Sequence, residues 1–260
     1  MLNKHTFVIL AYKESSFLEE CILSLLKQSV SENIIIATST RNEFIDNIAK
    51  KYNLEIVEKK EGEKGIAFDF DFALFSAQSK YVTIAHQDDV YDEKYLENVL
   101  KKMDDETLIA FTDCYELKGS EIERSNVNLR IKRALLFLLK FKLFQSRKFF
   151  KRLTLSFGNP ICCPSVTFNH SLIEQPLFVS GFKSNVDWYA WEKLSKKDGK
   201  FVYIDKSLIL HRIHGGSTTS GLIADNARTV EDFEMFVKFW PSWIAKIIAK
   251  IYKRSEKNNG

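Results

Sequence analysis

Several features are scarce in this chain, and each scarcity excludes something. Cysteine is rare. Cys21, Cys114, Cys162 and Cys163 contain no C-x-x-C pair, and neighbours such as Cys162 and Cys163 rarely bridge each other. Neither a disulfide framework nor a thiolate zinc site is indicated, and a reduced, cytosolic setting is the expectation. Long hydrophobic runs are missing near the start. The apolar stretch 7–11 is too short for a signal peptide or a membrane span and reads as a buried first strand. The residues after it, LAYKESS, hold no glycine. The glycine-rich phosphate loop of a nucleotidyltransferase is therefore absent. Charge of one sign is also lacking: 38 Lys and Arg against 34 Asp and Glu give a formal net charge of +4. Such a balance is too weak to argue for nucleic acid as a partner. No internal repeat or low-complexity linker stands out. What remains is a 260-residue chain that is 45% hydrophobic, enough for one large domain with a substantial core.

The first half alternates strand and helix signals. Strands are expected at 7–11, 33–38, 54–57, 81–85 and 108–112. Helices are expected after Ser15 or Ser16 as N-cap, at 43–52, at 66–77 and at 93–103. This order predicts a parallel, layered α/β sheet, in which ligands bind beyond the carboxyl ends of the strands. The polar residues after Ala11, Thr38 and Ala85 all fall at such ends.

The middle changes character. No acidic residue occurs from Arg124 to Ile173. Within it lie Arg130, Lys132, Arg133, Lys140, Lys142, Arg147, Lys148, Lys151 and Arg152, interleaved with Leu and Phe. A basic amphipathic helix over 130–152 suits an anionic membrane surface. The alternative is a helix whose basic stems cover the core edge while their charges face water. The last stretch, 241–260, is again basic and amphipathic.

Three constellations carry chemistry. His86, Gln87, Asp88 and Asp89 follow a strand, and carboxylates at a strand end can hold a hard divalent cation. Adjacent acids also serve as simple turn or cap residues. Asp187 precedes Trp188 and Trp191, either as a helix N-cap or as a general base, and both roles can coexist. His211, Arg212 and His214 precede a Gly-Gly turn, a set suited to a pyrophosphate and its metal.

Taken in order, these segments resemble the family 2 inverting glycosyltransferases of bacterial surface-polysaccharide synthesis. The resemblance runs from Phe7 to about Trp240 and implies the Rossmann-like GT-A fold, with helices on both faces of the sheet, a helical basic insertion and C-terminal helices. Residues 1–119 would bind the donor. Residues 120–240 would form the acceptor and catalytic side of the same domain, with 241–260 as a basic tail. The opening strand and loop resemble the family's nucleotide site, placing Ala11, Tyr12, Glu14 and Thr38 there. Gly65 matches the family glycine, and Asp71 stands where an asparagine is usual. HQDDVY occupies the Asp-x-Asp position. Asp88 matches the metal-binding aspartate, while His86 replaces the first acid and would meet ribose or metal. VDWYAWEKL resembles the motif of the catalytic base, here Asp187. HRIHGGSTT resembles the loop that closes on the diphosphate, where Arg212 would aid and His214 would help to hold the metal. The loop ATSTRNEF departs from the family by lacking its acidic run. The implied reaction moves a sugar from a nucleoside-diphosphate sugar to a glycan or lipid-linked acceptor, with Mn2+ or Mg2+, at the inner face of the plasma membrane, and without nucleic acid. A nucleotidyltransferase and a non-catalytic membrane-docking protein are the competing classes.

Overall fold

A computed structural model describes residues 4–31, 33–215 and 227–257. One nine-stranded sheet organises the chain, in the order β3-β2-β1-β4-β8-β6-β9-β5, with β7 paired to β6. The strands are β1 (His5–Ala11), β2 (Asn33–Thr38), β3 (Glu55–Glu58), β4 (Tyr81–His86), β5 (Val90–Tyr91), β6 (Thr107–Lys118), β7 (Glu121–Glu123), β8 (Val166–Asn169) and β9 (Lys200–Ile213). Strands β1 to β4 run parallel, and the apolar runs of β1, β2 and β4 are buried on both faces, while β3 lies at the sheet edge and is only half-buried. On β1, Val8 belongs to one apolar layer while Phe7 and Ile9 belong to the other.

The helices cover both faces. Helices α1 (Leu18–Leu26), α2 (Glu43–Tyr52) and α4 (Tyr95–Leu100) pack on the layer of Phe7 and Ile9. Helices α3 (Ile66–Ser76), α7 (Lys148–Leu155), α8 (Val186–Ser195), α9 (Ala227–Val237) and α10 (Ser242–Lys257) pack on the layer of Val8. Between β7 and α7 lie α5 (Val127–Leu136) and a short α6 (Lys142–Gln145).

The sheet is mixed, not wholly parallel. β8 runs antiparallel between β4 and β6, and the two-residue β5 runs antiparallel to β9. β6 extends well beyond the expected 108–112. Its polar second half, from Asp113 onward, conceals a strand that is held by β9 alongside, with register shifts around Asp113. The β6 and β9 pairing joins both halves of the chain in one sheet. Helix α1 begins one residue later than a serine cap requires. Phe17 is its N-cap, and Ser15 accepts Phe17 N–H with its hydroxyl at 3.3 Å and Leu18 N–H with its carbonyl at 3.2 Å.

The basic stretch is not one amphipathic helix. Asn126 caps α5, and extended backbone at Phe141 and Arg147 breaks the path into α5, a 3-10 turn, α6 and α7. Four of its nine bases pair with acids from elsewhere in the chain. Arg133 pairs with Asp113 at 2.6 Å, Lys140 with Asp205 at 2.5 Å, Lys148 with Asp198 at 2.9 Å and Arg152 with Glu192 at 2.7 Å. Lys151 is fully buried and donates to the carbonyls of Lys197 and Gly199 at the end of α8. Burial lowers its pKa to about 8.

Asp71 was expected beside the nucleotide, but its carboxylate points elsewhere. It is 4% exposed on α3 and accepts the backbone N–H groups of Leu177 at 2.7 Å, Phe178 at 3.1 Å and Val179 at 2.9 Å. This anchors the segment before α8 to the donor half of the sheet. Asp71→Ala leaves those donors unpaired in a buried place and is predicted to cost about 3 kcal/mol of stability. Asp71→Asn keeps one acceptor and costs less. Urea denaturation of both variants checks the order.

Candidate active site

The site forms where β1, β2 and β4 end. The turn after β4 carries His86, Gln87, Asp88 and Asp89, closed by Asp89 N–H donating to the His86 carbonyl at 3.2 Å. His86, Asp88 and Asp89 offer ligand atoms within 4.8 Å of one another. The His86 ring packs on Phe70 at 5.4 Å between centroids, and its Nδ1 lies 3.8 Å from Asp89 Oδ2. Its Nε2 is buried without a hydrogen-bond partner. An imidazole and two carboxylates with ligand atoms this close at a strand end fit a divalent cation.

The two adjacent aspartates do different things. Asp88 is partly open, and its Oδ2 lies 3.0 Å from His214 Nε2. Asp89 is fully buried. It accepts Arg212 N–H at 2.8 Å and faces His211 Nδ1 at 3.1 and 3.3 Å. Burial lowers the His211 pKa, but the Asp89 carboxylate overrides it, and the ring is raised to about 9. Burial likewise opposes ionisation of Asp89, and the charge of His211 overcomes it and holds that carboxyl below its ordinary value.

Arg212 was expected at the diphosphate. Its guanidinium instead donates Nε–H to the Asp88 carbonyl at 2.8 Å and Nη2–H to Glu20 at 2.5 Å, and it lies over the Phe17 ring at 4.3 Å. It fastens α1, the acidic turn and the end of β9 together. Glu20 and Phe17 were not singled out in the sequence, because their partner is nearly two hundred residues away.

Around the other strand ends, Tyr12 N–H donates to Gln87 Oε1 at 3.0 Å, and Gln87 Nε2 donates back to the Tyr12 carbonyl at 3.1 Å. Lys13 N–H donates to Thr40 Oγ1, whose own N–H donates to Thr38 Oγ1. Ala11 and Thr38 are buried beneath this rim, while Tyr12 and Glu14 are exposed on it. Gly65 caps α3 at a φ of +130°, a conformation that disfavours side chains. The rim also holds a set that the sequence pattern had hidden: Ser39 donates to Asp69 at 3.0 Å, and Lys59 pairs with Asp69 at 3.0 Å.

Asp187 lies in the first turn of α8, two residues after Asn185, so it is not the N-cap. Trp188, Trp191 and Leu194 face inward as expected. The Asp187 carboxylate accepts Asn159 Nδ2–H at 2.7 Å and Trp188 N–H at 2.8 Å. Burial raises its pKa, while Trp188 N–H, Asn159, Arg228 and His86 each act to lower it. Asn159 and Arg228 carry no sequence signal of this role, since each meets Asp187 only through the fold. Of the GGSTT run after His214, residues 216–219 lie outside the described residues.

A model described as glycosyl transferase family 2 matches residues 6–170. The chain belongs to glycosyl transferase family 2. The matched stretch ends before α8 and β9, so it does not reach Asp187, Arg212 or His214. Among solved structures, this family 2 chain is similar to S. aureus TarS 1-349 in complex with UDP-GlcNAc. The TM-score is 0.62 at 14% identity, over 95% of this chain and 70% of that one. It is also similar to the mannosyltransferase PcManGT from Pyrobaculum calidifontis in complex with GDP-Man and Mn2+. There the TM-score is 0.62 at 15% identity, over 97% of this chain and 70% of that one. These likenesses show the GT-A fold. No curated protein matches the chain.

The Asp89–His211 pair predicts a pH dependence. The folded-state pKa of His211, about 9, exceeds its ordinary 6.5. Its contribution is therefore fully present below about pH 6.5 and is lost as pH rises through about 9. The urea midpoint of the glycosyltransferase should fall across that window, and His211→Gln should lack this step.

Proposed function

We propose that this glycosyltransferase moves a sugar from a nucleoside-diphosphate sugar to a hydroxyl of a glycan or lipid-linked acceptor, with inversion at the anomeric carbon. The observation that carries the reading is the clustering of His86, Asp88 and Asp89 at the end of β4, with His214 set against Asp88 at 3.0 Å. The two structural neighbours bind UDP-GlcNAc and GDP-Man, which supports a nucleotide-sugar donor of the same class.

The chain's own groups divide the work. Tyr12 and Glu14 on the rim, with Ala11 and Thr38 beneath them and Gly65 at the start of α3, would receive the nucleoside. Asp88, His214 and His86 would hold Mn2+ or Mg2+, and Asp89 and Arg212 keep their backbone in place. When bound there, the cation would offset the negative charge that develops on the leaving diphosphate. Asp187 takes the proton of the acceptor hydroxyl as that oxygen attacks the anomeric carbon. The bond from sugar to diphosphate breaks, and the nucleoside diphosphate leaves with the electron pair. One displacement from the opposite face inverts the centre. A carboxyl raised toward neutrality by burial is a stronger base than an exposed one. Asn159 keeps one of its oxygens oriented. The acceptor would be a precursor of cell-surface polysaccharide, met at the cytoplasmic face of the membrane.

Two substitutions separate the roles. Asp88→Asn should keep the fold and lose most Mn2+-dependent binding of nucleoside diphosphate in calorimetry; unchanged affinity contradicts the metal assignment. Asp187→Asn should bind donor normally and lose transfer by about 10²-fold or more. Near-normal transfer would leave Asp187 a purely structural residue.

A further inference from the structure

We infer that the outer face of α10 is a membrane-contact surface that seats on anionic lipid. It sharpens the membrane location proposed above and rests on that part of the reading alone, not on the transfer chemistry.

The face is built from Trp243, Ile247 and Ile251, spaced four residues apart and thus in one line along the helix. They are 67%, 55% and 62% exposed. Lys246 and Lys250 stand exposed beside them. The opposite face is firmly engaged. Ala245 is fully buried, and Ile248, Ala249 and Tyr252 pack against the core. The Tyr252 ring lies 5.6 Å from Phe236 and 6.3 Å from Trp188, in the same helix as Asp187. Rotating α10 to hide its apolar line would tear out that packing. The line is therefore a permanent part of the folded surface.

Charge decides what covers it. Residues 242–255 contain no acid. A second copy of the same face would bring lysine against lysine, whereas anionic headgroups neutralise both rows. An interfacial helix with basic residues beside Trp and Ile matches lipid contact. In the 130–152 stretch, Arg133, Lys140, Lys148 and Arg152 are already paired with carboxylates and Lys151 is buried, while Arg130, Lys142 and Arg147 are exposed, so only part of its nine bases is offered to lipid. The stretch reaches the connection between α9 and α10, where Arg152 donates to the Lys238 carbonyl at 2.8 Å.

Tryptophan fluorescence of the full chain tests this, because Trp188 and Trp191 are fully buried and Trp243 is the most exposed of the four. Vesicles containing phosphatidylglycerol should shift the emission to the blue, and brominated lipid should quench it. Pure phosphatidylcholine vesicles should do neither. Trp243→Phe should abolish most of the quenching while still binding, and the double variant Ile247→Ser, Ile251→Ser should bind roughly tenfold more weakly. Binding without quenching in the wild type would overturn the inference, because another surface then meets the lipid. So would the absence of binding at low salt. Self-association that disappears in the serine variant would assign the face to a second copy, which also overturns it. Calorimetry of nucleoside diphosphate on the same samples keeps the readings apart. Loss of donor binding in the wild type sinks the transfer chemistry and leaves this surface standing.

Discussion

The buried carboxylate of Asp89 holds the two halves of the site together. It sits at the turn after β4, in the donor half, yet its partners His211 and Arg212 N–H belong to the end of β9. The short β5 adds a second tie, pairing Val90 with Leu210 and Tyr91 with Ile209. With these in place, Arg212 reaches Asp88 and Glu20, and His214 reaches Asp88. The charge on His211 makes the buried Asp89 tolerable, since an isolated carboxylate there would be strongly disfavoured. Asp88, partly open, is left with His214 while its neighbour carries the structural load.

A second anchor works on the other side of the sheet. Asp71 gathers three backbone N–H groups from 177–179, and the chain then enters α8 with Trp188 and Trp191 buried. That burial fixes the first turn of α8, and so the position of Asp187. Asn159 completes it from the segment before β8. The two anchors set the acidic turn and Asp187 from opposite faces of one rigid sheet.

Much of this was legible in the sequence. The β-branched runs of β1, β2 and β4 marked the parallel core, and the polar residues after them marked the ligand edge. The antiparallel return of β8 was not legible, because register across the sheet is a long-range property that local periodicity does not encode. Adjacent Asp88 and Asp89 look alike until burial separates them. Glu20, Asn159 and Arg228 have no motif, and only the fold brings them to the site. The basic run reads as one helix in the sequence, but extended backbone at Phe141 and Arg147 divides it, and Asp113, Glu192, Asp198 and Asp205 pair with four of its nine bases. Asp71 misled because its position in a family-like segment says nothing about where its carboxylate points.

The central claim is that His86, Asp88 and His214 form one cation site completed by a nucleoside diphosphate. Electron paramagnetic resonance of Mn2+ titrated into the wild-type protein tests it most directly. The account predicts that the free-ion signal is lost on adding a nucleoside diphosphate together with protein, beyond what the nucleotide alone removes. If no nucleoside diphosphate of the common bases changes the signal in a protein-dependent way, the site is not a metal–diphosphate site.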